Sequence, residues 1–239
     1  MPIGFELLEQ GLFNWKMPCD RKQLQLFEKY YSILFDWNQK MNITAIEALD
    51  DVMVFHFLDS LTPLLTGKIG NEDRAIDVGS GGGFPGIPIK IMRPDIEMVL
   101  VDSSKKRVSF LNELINVLSL DNTYAIHKRA EQIGNEKGYR ESFAVVLSRA
   151  VAQLSVLCEY CLPLAAIGGN FIAHKGPGVE VELPLARSAI KILGGSQPEL
   201  YAAEILGSQR RHNLVMIGKI AKTPKKYPRE PGKPEKSPL

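Results

Sequence analysis

The chain has 239 residues, room for one good-sized core plus a smaller attachment. With 45% hydrophobic and 23% charged residues it has a globular composition, which excludes a fibrous or low-complexity chain. The net charge of +2 does not by itself announce nucleic acid, but it is unevenly spread: residues 1–70 hold six Lys/Arg against nine Asp/Glu, residues 221–239 six against two.

In chain order, residues 22–39 predict an amphipathic helix, with Leu26, Tyr30, Ile33, Leu34 and Trp37 on one face. Residues 51–65 predict another, weakened near its end by Pro63. Residues 1–70 therefore read as a small helical unit. Strands are expected at 74–78, 97–101, 123–127, 143–147 and 169–174, and helices at 105–118, 153–166 and 187–193. Two late strands, 199–206 and 213–220, flank a turn at Gly207 and Ser208. Alternation of this kind implies a parallel sheet covered on both faces, with an antiparallel pair at one edge. Residues 71–220 form this second unit. Residues 221–239 contain five prolines and no apolar period, and are expected to be an extended, partly disordered basic tail.

No apolar run reaches bilayer length and residues 1–10 lack a signal-peptide pattern, so a cytoplasmic protein without membrane attachment is expected. Three cysteines argue against a disulfide framework. Cys158 and Cys161 form a C-x-x-C on one helix face; core packing is the preferred reading, a metal or redox role the alternative, since no second pair completes a zinc site.

The sharpest local signal is Asp77-Val78-Gly79-Ser80-Gly81-Gly82-Gly83-Phe84-Pro85-Gly86, a strand running into glycines and then a helix. Such a turn at the carboxyl end of the first strand is where doubly wound sheets bind nucleotide-like cofactors. A dinucleotide and S-adenosylmethionine both fit. Phe84 stands where a dinucleotide fingerprint wants its third small residue. Asp77 suits an ammonium or sulfonium better than a pyrophosphate, so the second is favoured. Asp102, 23 residues after Gly79, can accept both ribose hydroxyls and supports either.

The pattern as a whole resembles the bacterial family of small-subunit (16S) ribosomal RNA guanine-N7 methyltransferases, also called glucose-inhibited division protein B. The resemblance rests on Trp37-Asn38, Asn42-Ile43-Thr44-Ala45-Ile46, His56-Phe57-Leu58-Asp59-Ser60-Leu61, the glycine turn, Val101-Asp102-Ser103, Lys105-Lys106-Arg107, Arg129-Ala130-Glu131, Ser148-Arg149-Ala150-Val151-Ala152, and Thr223-Pro224-Lys225-Lys226-Tyr227-Pro228-Arg229. It implies a Rossmann-like class I S-adenosylmethionine-dependent methyltransferase fold, α/β, with a small N-terminal helical extension. It implies that Gly79 and Phe84 face the cofactor's methionine end, with Asp77 and Gly81 also counted as cofactor-binding, that Asp102, Ser103 and Ser104 lie along its ribose and adenine side, and that Ala130 and Glu131 border the adenine. Arg149 would stand at the mouth between cofactor and RNA, as the residue closest to catalysis; a salt bridge ordering the strand end is its alternative role.

Guanine N7 has a lone pair and no proton, and the donor is an activated sulfonium. The expected chemistry is an in-line displacement without a general base, driven by alignment. The target guanine is expected in a loop or flipped out, because an A-form major groove is too narrow to enter. Lys105, Arg107, Arg129 and Lys175, together with Lys225, Lys226 and Arg229 of the tail, are candidate contacts to RNA phosphates. The tail would either dock on RNA or fold back on the domain; in the first case its deletion lowers RNA affinity and spares cofactor binding. The expected partner is small-subunit ribosomal RNA, naked or assembled, with a monomeric enzyme. His56 reads as a contact between helical unit and sheet, and no Ser/His/Asp arrangement suggests a hydrolase. The competing readings are a methyltransferase for a small molecule or protein, an NAD-dependent reductase, and a non-catalytic assembly factor.

Overall fold

The computed structural model describes residues 5–239. Helices α1 (Glu6–Asn14) and α2 (Arg21–Asn38) open it. At the start of α2 the Asp20 carboxylate accepts the Gln23 N–H and the Gln23 side chain accepts the Asp20 N–H. This reciprocal cap satisfies donors that a helix start leaves open. Phe27, Tyr30 and Leu34 form its buried stripe. Residues 49–66 make one helical stretch in four pieces: α3 (Leu49–Val52), a π turn (Met53–Leu58), α4 (Asp59–Leu61) and a 3₁₀ turn (Thr62–Thr66). Pro63 sits in the first turn of the last piece, where its missing N–H costs little.

The remaining elements are β1 (Arg74–Val78), α5 (Gly86–Met92), β2 (Glu97–Asp102), α6 (Lys105–Leu118), β3 (Thr123–His127), α7 (Ala130–Ile133), β4 (Phe143–Arg149), α8 (Leu154–Cys161), β5 (Ala165–Lys175), α9 (Val179–Ile192), β6 (Glu199–Ala203), β7 (His212–Gly218) and α10 (Lys233–Lys236). The described strands form one sheet, ordered β3-β2-β1-β4-β5-β7-β6. β1 to β5 are parallel, while β7 runs antiparallel to both its neighbours. The expected antiparallel edge is therefore present. α8 ends earlier than expected because Ala165 already pairs with Phe143 in the sheet. α9 begins earlier than expected and carries Pro184 inside it.

Strand alternation divides two cores. Ala75, Leu100, Val145, Leu147, Ile172 and Leu214 face the layer of α1, α2, the π turn, α5 and α6. Ile76, Val101, Val146, Phe171 and Val215 face α8 and α9. Cys158 and Cys161 are buried in this second core, and burial pushes both thiols up, so they pack as small apolar side chains.

The expectation of an extended, partly disordered tail is corrected in favour of the alternative in which it folds back on the domain. After β7 the chain forms a strap across α7 and α8. The Thr223 N–H reaches the Glu141 carboxylate at 2.7 Å. The Arg140 guanidinium donates to the carbonyls of Thr223 and Tyr227, and Tyr227 is buried. One aromatic anchor and a set of internal ion pairs supply the ordering that proline-rich composition conceals.

Candidate functional site

The sheet order reverses between β1 and β4, so the connections leaving their carboxyl ends turn to opposite faces and leave a crevice. The glycine turn after β1 lies there. Gly79 and Ser80 both donate their N–H to the Val101 carbonyl of β2, folding the turn over the strand ends. Gly79 has φ 78°, and an added Cβ would stand 2.4 Å from Val151 Cγ2. Gly83 has φ 91° and faces the Tyr30 hydroxyl, which itself donates to the Gly82 carbonyl. Neither position admits a side chain without strain.

A cavity of about 100 Å³ opens beside this turn, bordered by Gly79, Asp102, Ser103, Arg129, Ala130 and Glu131, with Val151, Tyr160 and Glu235 completing its wall. It brings together five of the ten residues expected at the cofactor, Gly79, Asp102, Ser103, Ala130 and Glu131. Asp102 is buried; one oxygen accepts the Gly81 N–H at 2.9 Å, the other the Ser104 N–H at 2.8 Å. Each oxygen keeps a second lone pair. Ser104 also caps α6. Glu131 borders the cavity, but its Oε1 already accepts the Gly232 N–H of the strap at 2.9 Å. A wider groove of about 1130 Å³ lies between α1 and the β6–β7 edge, lined by Trp15, Tyr201 and Arg210 among others. It is remote from the strand ends that carry the glycine turn.

Asp77 and Phe84 lie behind the turn rather than in the cavity wall. Asp77 has no exposed surface; its Oδ2 accepts the Gly86 N–H at 3.0 Å, and its Oδ1 has no partner among the described residues. Phe84 stacks on His56, ring centroids 4.4 Å apart, and on Tyr30 at 5.3 Å. It fastens the turn to the helical layer.

Parity then places a polar row on one face. Asp77 on β1, Arg149 on β4, His174 on β5 and His212 on β7 share the face of Leu147, Ile172 and Leu214, and the last three of these four polar residues meet Asp59. Arg149 Nη1 donates to Asp59 Oδ2 at 2.8 Å and to the Phe55 carbonyl at 3.2 Å. Its Nη2 lies 3.2 Å from His56 Nδ1, and the guanidinium covers Phe84. His174 Nε2 reaches the Asp59 carbonyl at 3.0 Å. Burial, then the Arg149 charge, lowers His56 to about 3, so at neutral pH its Nδ1 accepts and its Nε2–H donates to Thr44 Oγ1 at 2.7 Å. Asn38 supports Thr44 by accepting the N–H groups of Ile43 and Thr44. This explains why Trp37-Asn38, Asn42-Ile43-Thr44 and His56-Phe57-Leu58-Asp59 occur together.

Asp59 Oδ1 meets His212 Nδ1 at 2.8 Å, and His212 Nε2 meets Ser208 Oγ at 2.8 Å. A Ser–His–Asp chain is thus present, contrary to expectation. Ser208 stands in the turn four residues before His212 of β7, while Asp59 of α4 is 153 residues from His212, a contact that no sequence spacing reveals. This Ser–His–Asp chain ends on the carboxylate that grips Arg149. Burial alone would raise the Asp59 carboxyl, but the His212 hydrogen bond and the neighbouring positive charges hold it well below the usual range.

The candidate RNA residues divide. Lys105, Arg107 and Arg129 are exposed near the cavity, Arg107 standing 3.7 Å from Asp102. Lys175 is turned inward, paired with Glu182 at 2.7 Å and donating to the Ala152 carbonyl. Arg229 is clasped by buried Glu159. Lys225 and Lys226 are exposed, but at the end of the strap nearest the start of β4. Tyr160, Glu235 and Asp59 escaped the site prediction. Only Asp59 had a signal, its place in the His56–Leu61 motif.

Among solved structures, the fold is similar to a putative O-methyltransferase from Klebsiella pneumoniae, TM-score 0.57, 13% identical, covering 92% of this chain and 100% of that one. It is also similar to M. jannaschii TYW2 in complex with AdoMet, TM-score 0.51, 14% identical, covering 68% and 77%. These likenesses show the class I methyltransferase fold. At the level of sequence, the chain is 47% identical to the ribosomal RNA small subunit methyltransferase G of Alkaliphilus oremlandii, covering 98% of each. It is 45% identical to that of Pelotomaculum thermopropionicum, covering 100% of each. The family model for rRNA small subunit methyltransferase G matches residues 23–215. With its fold, its glycine turn and near-complete coverage in agreement, the chain belongs to the rRNA small subunit methyltransferase G family.

Proposed function

We propose that this enzyme transfers a methyl group from S-adenosylmethionine to N7 of a guanine in small-subunit (16S) ribosomal RNA. The observation that carries this reading is the cavity at the β1–β4 crevice, flanked by the exposed cations Lys105, Arg107 and Arg129, in a member of this family. Phosphate contacts supply most RNA affinity, so cations beside the cavity bring a ribose-phosphate chain to it.

The residues fit the cofactor. Asp102 has lone pairs left for ribose hydroxyls, and the unpartnered Oδ1 of Asp77 would suit the cofactor's ammonium group, although that carboxylate is enclosed behind the glycine turn and not in the cavity wall. The cavity is below the roughly 300 Å³ at which ligand pockets begin, and Val151, 40% exposed, stands over Gly79 in its wall. When bound, S-adenosylmethionine supplies a methyl group on a sulfonium. The chain's work is to align guanine N7 with that methyl carbon. No residue needs to remove a proton, because N7 carries none. The resemblance puts Arg149 between the two substrates; in the structure it lies outside the cavity lining and pairs with Asp59, the alternative role given to it. Its pairing with Asp59 offsets a positive charge that would oppose the cation forming on the methylated ring. In this reading residues 1–70 brace Arg149, residues 71–220 hold the cofactor, and a single chain acts in the cytoplasm, where ribosomal subunits are found.

Labelled methyl transfer to small subunits lacking the modification, compared with naked RNA, tests the proposal. Label mapping to 7-methylguanosine at one loop position is expected. Label on another base, or none despite cofactor binding, overturns it.

A further inference from the structure

The strap is fastened along its whole length. Thr223 is tied to Glu141, and the Tyr227 and Thr223 carbonyls to Arg140. The Arg229 side chain and N–H are tied to Glu159, and the Gly232 N–H to Glu131. Three residues beyond Gly232 the strap delivers Glu235 to the wall of the cavity that also contains Asp102 and Ala130. Tyr160 of α8 borders the same cavity, and its hydroxyl donates to Glu235 Oε1 at 3.2 Å. A residue on a tail bound only to solvent would have no such fixed position. Glu131, the acid that the resemblance assigns to the adenine, is meanwhile holding the strap.

We infer that the C-terminal strap is a wall of the cofactor site, and that Glu235, oriented by Tyr160, receives the exocyclic amine of the adenine. The inference rests on the cofactor reading of this cavity. An ionised carboxylate only accepts hydrogen bonds. With one lone pair on Tyr160 it has others for an amine N–H, and it repels a carbonyl oxygen at the same ring position. Glu235 therefore selects adenine against hypoxanthine, by attraction to one base and repulsion of the other. The strap contributes to the nucleoside rather than to RNA alone, so its deletion weakens cofactor binding, contrary to what the basic composition of the tail suggests.

The test is calorimetric titration of the full-length chain with S-adenosylhomocysteine and with its deaminated counterpart S-inosylhomocysteine. The wild type is expected to bind the adenosine ligand about tenfold more tightly. Glu235→Ala is expected to weaken that ligand by about fivefold and to tighten the inosine ligand by about twofold, so that the tenfold preference is lost. Glu235→Gln, which can present an N–H to a carbonyl, narrows the ratio by improving the inosine ligand. Tyr160→Phe weakens the adenosine ligand by roughly twofold to threefold, since it frees Glu235 without removing it. Melting curves of each variant separate these effects from unfolding. Equal losses for both ligands, or no loss for either in Glu235→Ala, overturn the role of Glu235 while leaving the cofactor site standing. A wild-type chain that binds neither ligand overturns both.

Discussion

Asp77 closes β1 with a carboxylate that is wholly enclosed and half satisfied. Burial pushes it from 3.8 up to about 7, against the pull of the Gly86 N–H and the Arg149 charge. A carboxyl whose folded value is raised stabilises the fold fully below its unfolded value and loses that contribution as pH rises through about 7. Asp77→Asn should therefore gain stability relative to wild type between about pH 4 and 8, read as the difference between their melting curves across that range. The ionised form is the one that suits a cationic ligand. Cofactor binding should tighten as pH rises through 7 and release a proton, seen as a binding heat that changes with the buffer's ionisation enthalpy. In Asp77→Asn both effects should vanish; an unchanged pH slope would show that the carboxylate does not meet the ligand. Gly79 and Asp102, which border the cavity, were legible in the sequence because a glycine turn and a second strand end are local patterns. The gathering of Arg149, His174 and His212 on Asp59 was not, because each comes from a different element and only strand parity aligns them.

At the scale of elements, the strands were the most legible part, because each is an apolar run bounded by Gly, Asp or charged residues. Residues 49–66 were legible as helical but not as a π turn followed by a 3₁₀ turn, since a change of hydrogen-bond partner leaves little trace in apolar spacing. The strap was read least well. Its five prolines hid the anchors, and those anchors lie on Glu131, Glu141 and Glu159, far away in sequence. The strongest is Arg229 on Glu159, whose carboxylate is 1% exposed and accepts from the Arg229 backbone, Nε and Nη2. Arg229→Ala strands a buried carboxylate. The cost should be about 3 kcal/mol, at the lower end for a buried pair because the arginine side is 17% exposed to water. That corresponds to a fall in melting temperature of roughly 6–12 °C. Arg229→Ala, Glu159→Gln together should recover much of it, whereas a shift within 1–2 °C in the single variant would mean that the strap is held elsewhere.

At the scale of the whole molecule, net charge conceals what position reveals. Of the seven cations first assigned to RNA, Lys175 and Arg229 are spent inside the fold, and Lys225 and Lys226 stand at the far end of the strap. Lys105, Arg107 and Arg129 remain beside the cavity. Each phosphate that a cation neutralises adds roughly 0.7–0.9 to the slope of log affinity against log salt. Replacing these three by alanine should lower that slope by about 2–3 for small-subunit RNA, while Lys225→Ala with Lys226→Ala should leave it within about 0.5. The binding assay is run saturated with S-adenosylhomocysteine, because Arg129 borders the cavity and Arg107 faces Asp102, so that a cofactor defect is not mistaken for an RNA defect. If the tail pair lowers the slope as much as the rim triple does, the RNA follows the strap down the α7–α8 face. The cavity mouth would then be one end of a longer contact. If neither set changes it, specific base contacts rather than phosphates hold the RNA, and affinity should fall with changes to the target loop instead of with salt.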